Sequence, residues 1–213
     1  VAKLINDIHT KPLHFILELI QNAEDNDYDE KAIPRIKFII EEKQIIIQNN
    51  EKGFKEADVD ALCDIAKTTK KNKNLGYIGE KGIGFKSVFK ITDNPKIFSN
   101  GFNFEFKYTP ENPISIAIPH WIEEEKIPFF IKLDETNIVL PLKEENKEEL
   151  NKIEEIDPRV ILFLRKLKTI EIEDKRKNEI QKIQRIDYED KVKIEHFKGE
   201  EYYKIVKEIL KVP

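Results

Sequence analysis

At 213 residues the chain can build one large core, and 39% hydrophobic against 37% charged residues describe a solvated globular protein with no apolar run near the ~20 residues that span a bilayer. A net charge of -4 with both signs interleaved excludes a global field for nucleic acid or anionic membrane, so any polyanion must be held by a local site. The single cysteine, Cys63, excludes an internal disulfide. With no signal-peptide pattern over 3–14, it fits an intracellular protein, cytoplasmic or nuclear. A chain that starts at Val1 and holds no methionine is expected to be a segment of something longer.

Pro12 suits a first helical turn, and Leu13, Ile16, Leu17, Leu19, Ile20 and Ala23 follow at helical spacing, which predicts a helix over about 12–26. Ile36, Phe38 and Ile40, then residues 44–48, are β-rich runs separated by 41–43 and read as an antiparallel hairpin. Its second strand runs into Asn49-Asn50-Glu51-Lys52-Gly53-Phe54, a turn by composition. Residues 55–67 have helical periodicity and lead to the polar stretch 68–74, expected to be mobile. A glycine cluster opens a helix at 83–91, and 96–99, 102–108, 114–118 and 136–142 read as strands. The charge-rich 143–155 is expected as an exposed helix. Asp157-Pro158 looks like an N-cap with proline at the first position of a short helix through Leu164. Segments 169–173 and 202–206 complete the strands.

Early helices and late, hairpin-spaced strands predict an α+β fold: a two-layer sandwich with a mostly antiparallel sheet covered by helices on one face. Residues 1–170 would form the main domain, and 171–213 appended strands or the start of a following segment.

Three segments carry chemistry. Glu18, Asn22 and Asp25 share one helical stripe through separations of four and seven. A carboxylate and an amide there could hold a water and a hard cation, or be an ordinary polar face. Gly76 and the run Gly79-Glu80-Lys81-Gly82-Ile83-Gly84-Phe85-Lys86-Ser87 place glycines before a helix, where backbone amides can approach an anion; a tight turn is the alternative. Phe85 displaces Lys86 by one residue from the P-loop register, and the order is GxxGxG rather than GxGxxG. Asn49 could offer an amide oxygen and N–H to an adenine edge, though asparagine also serves turns.

The order of these segments resembles the GHKL ATPases over roughly residues 10–170, with the subgroup of NO VEIN and sacsin-type histidine kinase-like ATPase domains most similar. The resemblance rests on Glu18-Leu-Ile-Gln-Asn22-Ala-Glu-Asp25, Asn49-Asn50-Glu51-Lys52-Gly53-Phe54, and Gly76-Tyr-Ile-Gly-Glu-Lys-Gly82-Ile-Gly-Phe-Lys-Ser87. It implies a Bergerat fold in which Glu18 orients the attacking water, Asn22 coordinates magnesium, and Asp25 and Asn26 line the nucleotide pocket. Asn49, Gly53 and Phe54 stand at the adenine side, where GHKL proteins usually have Asp-x-Gly-x-Gly. Here the aspartate is Asn49 and the first glycine is Glu51. Gly79, Gly82, Ile83, Gly84 and Phe85 match the phosphate loop, Lys67, Thr68 and Lys81 lie in or beside the lid, and Thr136 matches the threonine of the pocket floor.

The implied activity is magnesium-ATP binding with slow hydrolysis that drives lid closure and signals to other domains or protein partners, including a chaperone-like role by analogy. The alternative is a nucleotide-gated interaction module without turnover. Histidine kinase activity is not expected of His14, because no dimerising helix pair accompanies it. Cys63 reads as core, and Trp121 with Phe129 and Phe130 as packing, since no basic stripe attends them.

Overall fold

The computed structural model describes residues 14–64, 84–144, 150, 153, 156–204 and 206. A ten-stranded sheet organises them, in the order β10-β9-β8-β7-β1-β2-β6-β3-β4-β5. At its centre, β1 (Arg35–Ile40) and β2 (Gln44–Asn49) form the expected hairpin, pairing antiparallel from Ile36 opposite Asn49 to Ile40 opposite Ile45. The near-continuous isoleucine run has a physical cause: both faces of the sheet are covered here. Ile36, Phe38, Ile40, Ile45 and Ile47 enter the main core, whereas Ile39 and Ile46 join Phe98, Ile131 and Val139 in a smaller cluster.

Helix α1 (His14–Asp25) covers the main face through Phe15, Ile16, Leu19, Ile20 and Ala23, a stripe at the spacing the sequence shows. Helix α2 (Glu56–Cys63) follows the turn after β2, and Asp58 satisfies its start by accepting from the Lys55 N–H at 2.9 Å. The predicted helix at 83–91 is a 3₁₀ helix over Gly84–Lys90. Strands β3 (Lys96–Ser99) and β4 (Phe102–Glu105) are joined by Asn100 and Gly101, both at positive φ, the geometry a two-residue hairpin loop demands. β6 (Thr136–Pro141) inserts between β2 and β3. Asp157 caps the 3₁₀ helix Pro158–Phe163 by accepting from the Arg159 N–H, as the Asp-Pro pair predicts.

β7 (Thr169–Asp174) pairs parallel with β1, and β8 (Glu179–Asp187), β9 (Lys191–His196) and β10 (Gly199–Lys204) extend that edge antiparallel. The chain is therefore α+β, with a mostly antiparallel open sheet and few helices. None of the described helices is long and apolar enough to cross a membrane.

Several boundaries differ from the sequence expectation. Segment 114–118 is not a strand: Pro113–Ala117 is a 3₁₀ helix in which Ser115 and Ala117 are buried and Ile114 is exposed, the reverse of what isoleucine alternation suggests. Pro113 at the first position favours that turn. Strand 102–108 stops at Glu105, after which the Phe106 and Tyr108 N–H groups bond the Pro95 and Asp93 carbonyls. β8 and β9 went unpredicted, as did the two-residue β5 (His120–Trp121). Ile180, Ile183 and Ile186 in β8 recur every three residues, so the period-2 signal is missing, and of them only Ile183 is buried. Most of the helix expected over 143–155 lies outside the described residues.

Candidate functional site

A hollow continuous with solvent opens between α1, α2 and the strand ends of β2 and β6. Asn22 lines it from α1, Asn26 from the bend after that helix, Asn49 from the end of β2, Glu51 and Phe54 from the following turn, Phe85 from the 3₁₀ helix and Thr136 from the start of β6. β2 and β6 pair with Asn49 opposite Thr136, so the register brings two residues 87 positions apart to one floor.

Glu18 stands one turn before Asn22. A Cβ on Gly84 would lie 2.1 Å from Glu18 Oε2, so this carboxylate rests against bare backbone that any side chain would displace. His14 Nε2 is 3.4 Å from its other oxygen. Asp25 stands differently: it is exposed at the helix end, accepts from Gln21 Nε2 at 3.3 Å, and is not among the residues lining the hollow. Gly53 has φ +86°, and a Cβ there would meet the Asn100 Cβ at 2.6 Å, so the turn requires glycine twice over. Lys67, Thr68, Gly79, Lys81, Gly82 and Ile83 lie outside the described residues.

The floor is a directed hydrogen-bond network. Asn49, 4% exposed, donates both amide hydrogens, to Tyr28 Oη at 2.8 Å and to the Arg35 carbonyl at 2.7 Å, and its oxygen accepts from Asn26 Nδ2 at 3.3 Å. Tyr28 passes its own hydrogen to the Ala23 carbonyl at 2.7 Å. Burial pushes the Tyr28 phenol well above its usual range, with the Asn49 hydrogen bond acting the other way. A second chain runs alongside. The Phe54 N–H donates to Ser99 Oγ at 2.9 Å, Ser99 is bonded to Thr136 Oγ1, and Thr136 donates to Glu51 Oε1 at 2.7 Å. With the Ser99 hydrogen directed at Thr136, each donor in this chain points toward the Glu51 carboxylate.

Two further residues act beside the hollow. Glu24, 8% exposed, accepts from the N–H groups of Arg165, Lys166 and Leu167 at 2.6–3.1 Å and so fastens the approach to β7 onto α1. Lys86, which follows the glycine run, spends its ammonium on the Leu62 and Ile116 carbonyls, each at 2.6 Å, with the Phe106 ring 4.7 Å away. Burial lowers its pKa to about 8. Sequence reasoning missed Tyr28, Ser99 and Glu24, and treated Glu51 only as a missing glycine. No local pattern announces them, because their partners lie on other strands or loops.

Comparison with known proteins bears on the first half of the chain. Residues 2–107 match the family described as the Sacsin domain. The chain is 47% identical to protein NO VEIN of Arabidopsis thaliana over 116 residues, covering 54% of this chain and 4% of that protein. It is 36% identical to sacsin of Homo sapiens over 100 residues, covering 38% of this chain and 2% of that protein.

Proposed function

On the sacsin/NO VEIN-like family that these matches support, we propose that the chain is a sacsin-like domain of a larger protein that binds ATP with magnesium in the hollow beneath α1, in the GHKL manner. One observation carries the reading: Asn22 of α1, the strand-end Asn49 and the floor Thr136 line one hollow, with Glu18 one turn before Asn22 and against Gly84. Its mix of apolar walls with a few placed polar groups suits a base and a sugar.

The fit to magnesium rests on donor type. Among the described residues no cluster of three His, Cys, Asp or Glu could hold a metal alone. Magnesium prefers oxygen ligands, keeps several waters and is commonly shared with substrate phosphates, so a single amide oxygen from Asn22 is a sufficient protein ligand. Bound there, the metal supplies neutralisation of triphosphate charge. Glu18 then holds a water on the phosphate side of the hollow and takes its proton, and Gly84 keeps that space open. Asn26 and Asn49 brace the floor beneath the base, and Phe54 and Phe85 provide apolar walls. Turnover is slow in this scheme, because Lys86 is committed to carbonyls and leaves transition-state charge less compensated.

Calorimetric titration of the chain with magnesium-ATP, against GTP and against ATP with chelator, tests the proposal. Saturable, magnesium-dependent ATP binding is the expected result. No heat and no thermal stabilisation at millimolar magnesium-ATP overturns it, since a ligand of the native state must raise stability by mass action.

A further inference from the structure

We propose, resting on the ATP-binding reading above, that Lys166 is a positioning residue for the hollow: it holds the end of α1 in the shape that places Asn26 at the floor, and bound ATP in turn tightens the segment leading into β7. Residues 23–26 serve two sites at once. Ala23 and Asn26 line the hollow, and Asn26 Nδ2 donates to Asn49 Oδ1 at 3.3 Å. Glu24, between them, is not among the lining residues and accepts from the N–H groups of Arg165, Lys166 and Leu167. Lys166 returns the contact. Its ammonium donates to the Asn26 carbonyl at 2.7 Å and the Asp25 carbonyl at 3.3 Å, with the Asp27 carboxylate 3.8 Å away.

The two contacts make a clasp. Carbonyls at the end of a helix have no partner within it and carry the negative end of its dipole, so a cation that donates to them satisfies and neutralises them together. Here the cation is delivered by backbone already fixed from the other side, since Glu24 is 8% exposed and the flanking Leu164 and Leu167 belong to the main core. Lys166 itself is exposed, so its ammonium can be removed without opening that core. Loss of the ammonium frees the Asn26 carbonyl, and the carboxamide of the same residue then spends less time against Asn49. Affinity for a ligand of the hollow falls by the share of the competent arrangement that is lost. Linkage makes the effect reciprocal: a ligand that favours the closed turn must hold the 165–167 N–H groups more firmly by a similar factor.

Two measurements on the full chain test the assignment: calorimetric titration with magnesium-ATP in the wild type, Lys166→Met and Lys166→Arg, and amide hydrogen exchange at 165–167 with and without the nucleotide. Lys166→Met keeps an apolar stem and loses the charge, so affinity should fall about 3-fold or more, the worth of a cation at a helix C-terminus, while Lys166→Arg stays within about 2-fold of the wild type. Saturating magnesium-ATP should slow exchange at 165–167 in the wild type by about 3-fold, a response that a lysine serving stability alone would not give. Circular dichroism establishes that Lys166→Met is folded. If it is not, the exchange measurement on the wild type decides by itself. Equal affinity in Lys166→Met and the wild type, a loss in Lys166→Arg as large as in Lys166→Met, or exchange at 165–167 that bound ATP leaves unchanged overturns the role of Lys166 and leaves ATP binding standing. Absence of magnesium-ATP binding by the wild type overturns both.

Discussion

Introducing an aspartate by Asn49→Asp, at a position where the GHKL ATPases that the sequence resembles usually carry one, should damage this protein rather than improve it. The two side chains are nearly isosteric, so the effect isolates hydrogen-bond polarity. Asn49 donates to the Arg35 carbonyl at 2.7 Å and to Tyr28 Oη at 2.8 Å in a site 4% exposed. An ionised aspartate places an oxygen against the carbonyl oxygen of Arg35, and Tyr28 can donate to it only by abandoning the Ala23 carbonyl. Leaving buried acceptors without donors costs about 1–3 kcal/mol each, and partial relaxation brings the expected loss to about 2–4 kcal/mol at pH 8. Against a total stability of roughly 5–15 kcal/mol, that is readily measured.

The introduced carboxyl should also titrate. Burial beside acceptors raises its folded-state pKa above the unfolded value of about 3.9, so its penalty is small below that pH and grows as pH rises through the folded value. Urea denaturation followed by far-ultraviolet circular dichroism at pH 5 and pH 8 should therefore show a smaller deficit at the lower pH. A variant as stable as the wild type at pH 8, within about 0.5 kcal/mol, refutes the donor assignment of Asn49.

Other outcomes follow from the same geometry. Glu24→Ala removes the acceptor of three backbone N–H groups and should cost about 2–4 kcal/mol in chemical denaturation; a loss under about 0.5 kcal/mol would show that the 165–167 segment stays fastened without it. Glu18→Ala should abolish phosphate release while magnesium-ATP affinity holds within a few-fold, whereas Asn22→Ala should weaken binding only when magnesium is present, as calorimetry with and without chelator would read. Gly84→Ala drives a Cβ to 2.1 Å from Glu18 Oε2, so the carboxylate must swing away and turnover should fall at least 10-fold with an almost unchanged melting temperature. Tyr28 supplies the pH test. Its raised folded-state pKa gives stability that is whole below about pH 10 and is lost as pH climbs from there through the folded value. Between pH 9 and 11.5 the wild type should lose stability more steeply than Tyr28→Phe, and parallel slopes would remove Tyr28 as the source.

The amphipathic stripe of α1, the isoleucine hairpin β1–β2, the Asp-Pro cap before residue 158 and the α+β class were all legible along the chain. Each depends on short-range periodicity or on a single residue's conformational preference. The contact of Glu18 with Gly84 comes from packing between segments far apart in the chain, with Gly79 to Ile83 outside the described residues. β8 escaped notice because Ile180, Ile183 and Ile186 are spaced by three, and what makes it a strand is pairing with β7 and β9. Likewise Ile114 to Ile118 alternates like a strand, but Pro113 and the burial of Ser115 turn it into a helix.

The polarity of the floor belongs to tertiary structure alone. Sequence singled out Asn49 and Thr136, yet could not choose the partners of their hydrogen bonds. That choice is made by Tyr28, Arg35 and Ser99, whose hydrogen-bond demands spend the donors of Asn49 and direct that of Thr136 to Glu51. Hydrogen bonding in a buried site is a closed accounting among groups far apart in sequence, and it closes only once register and packing bring them together.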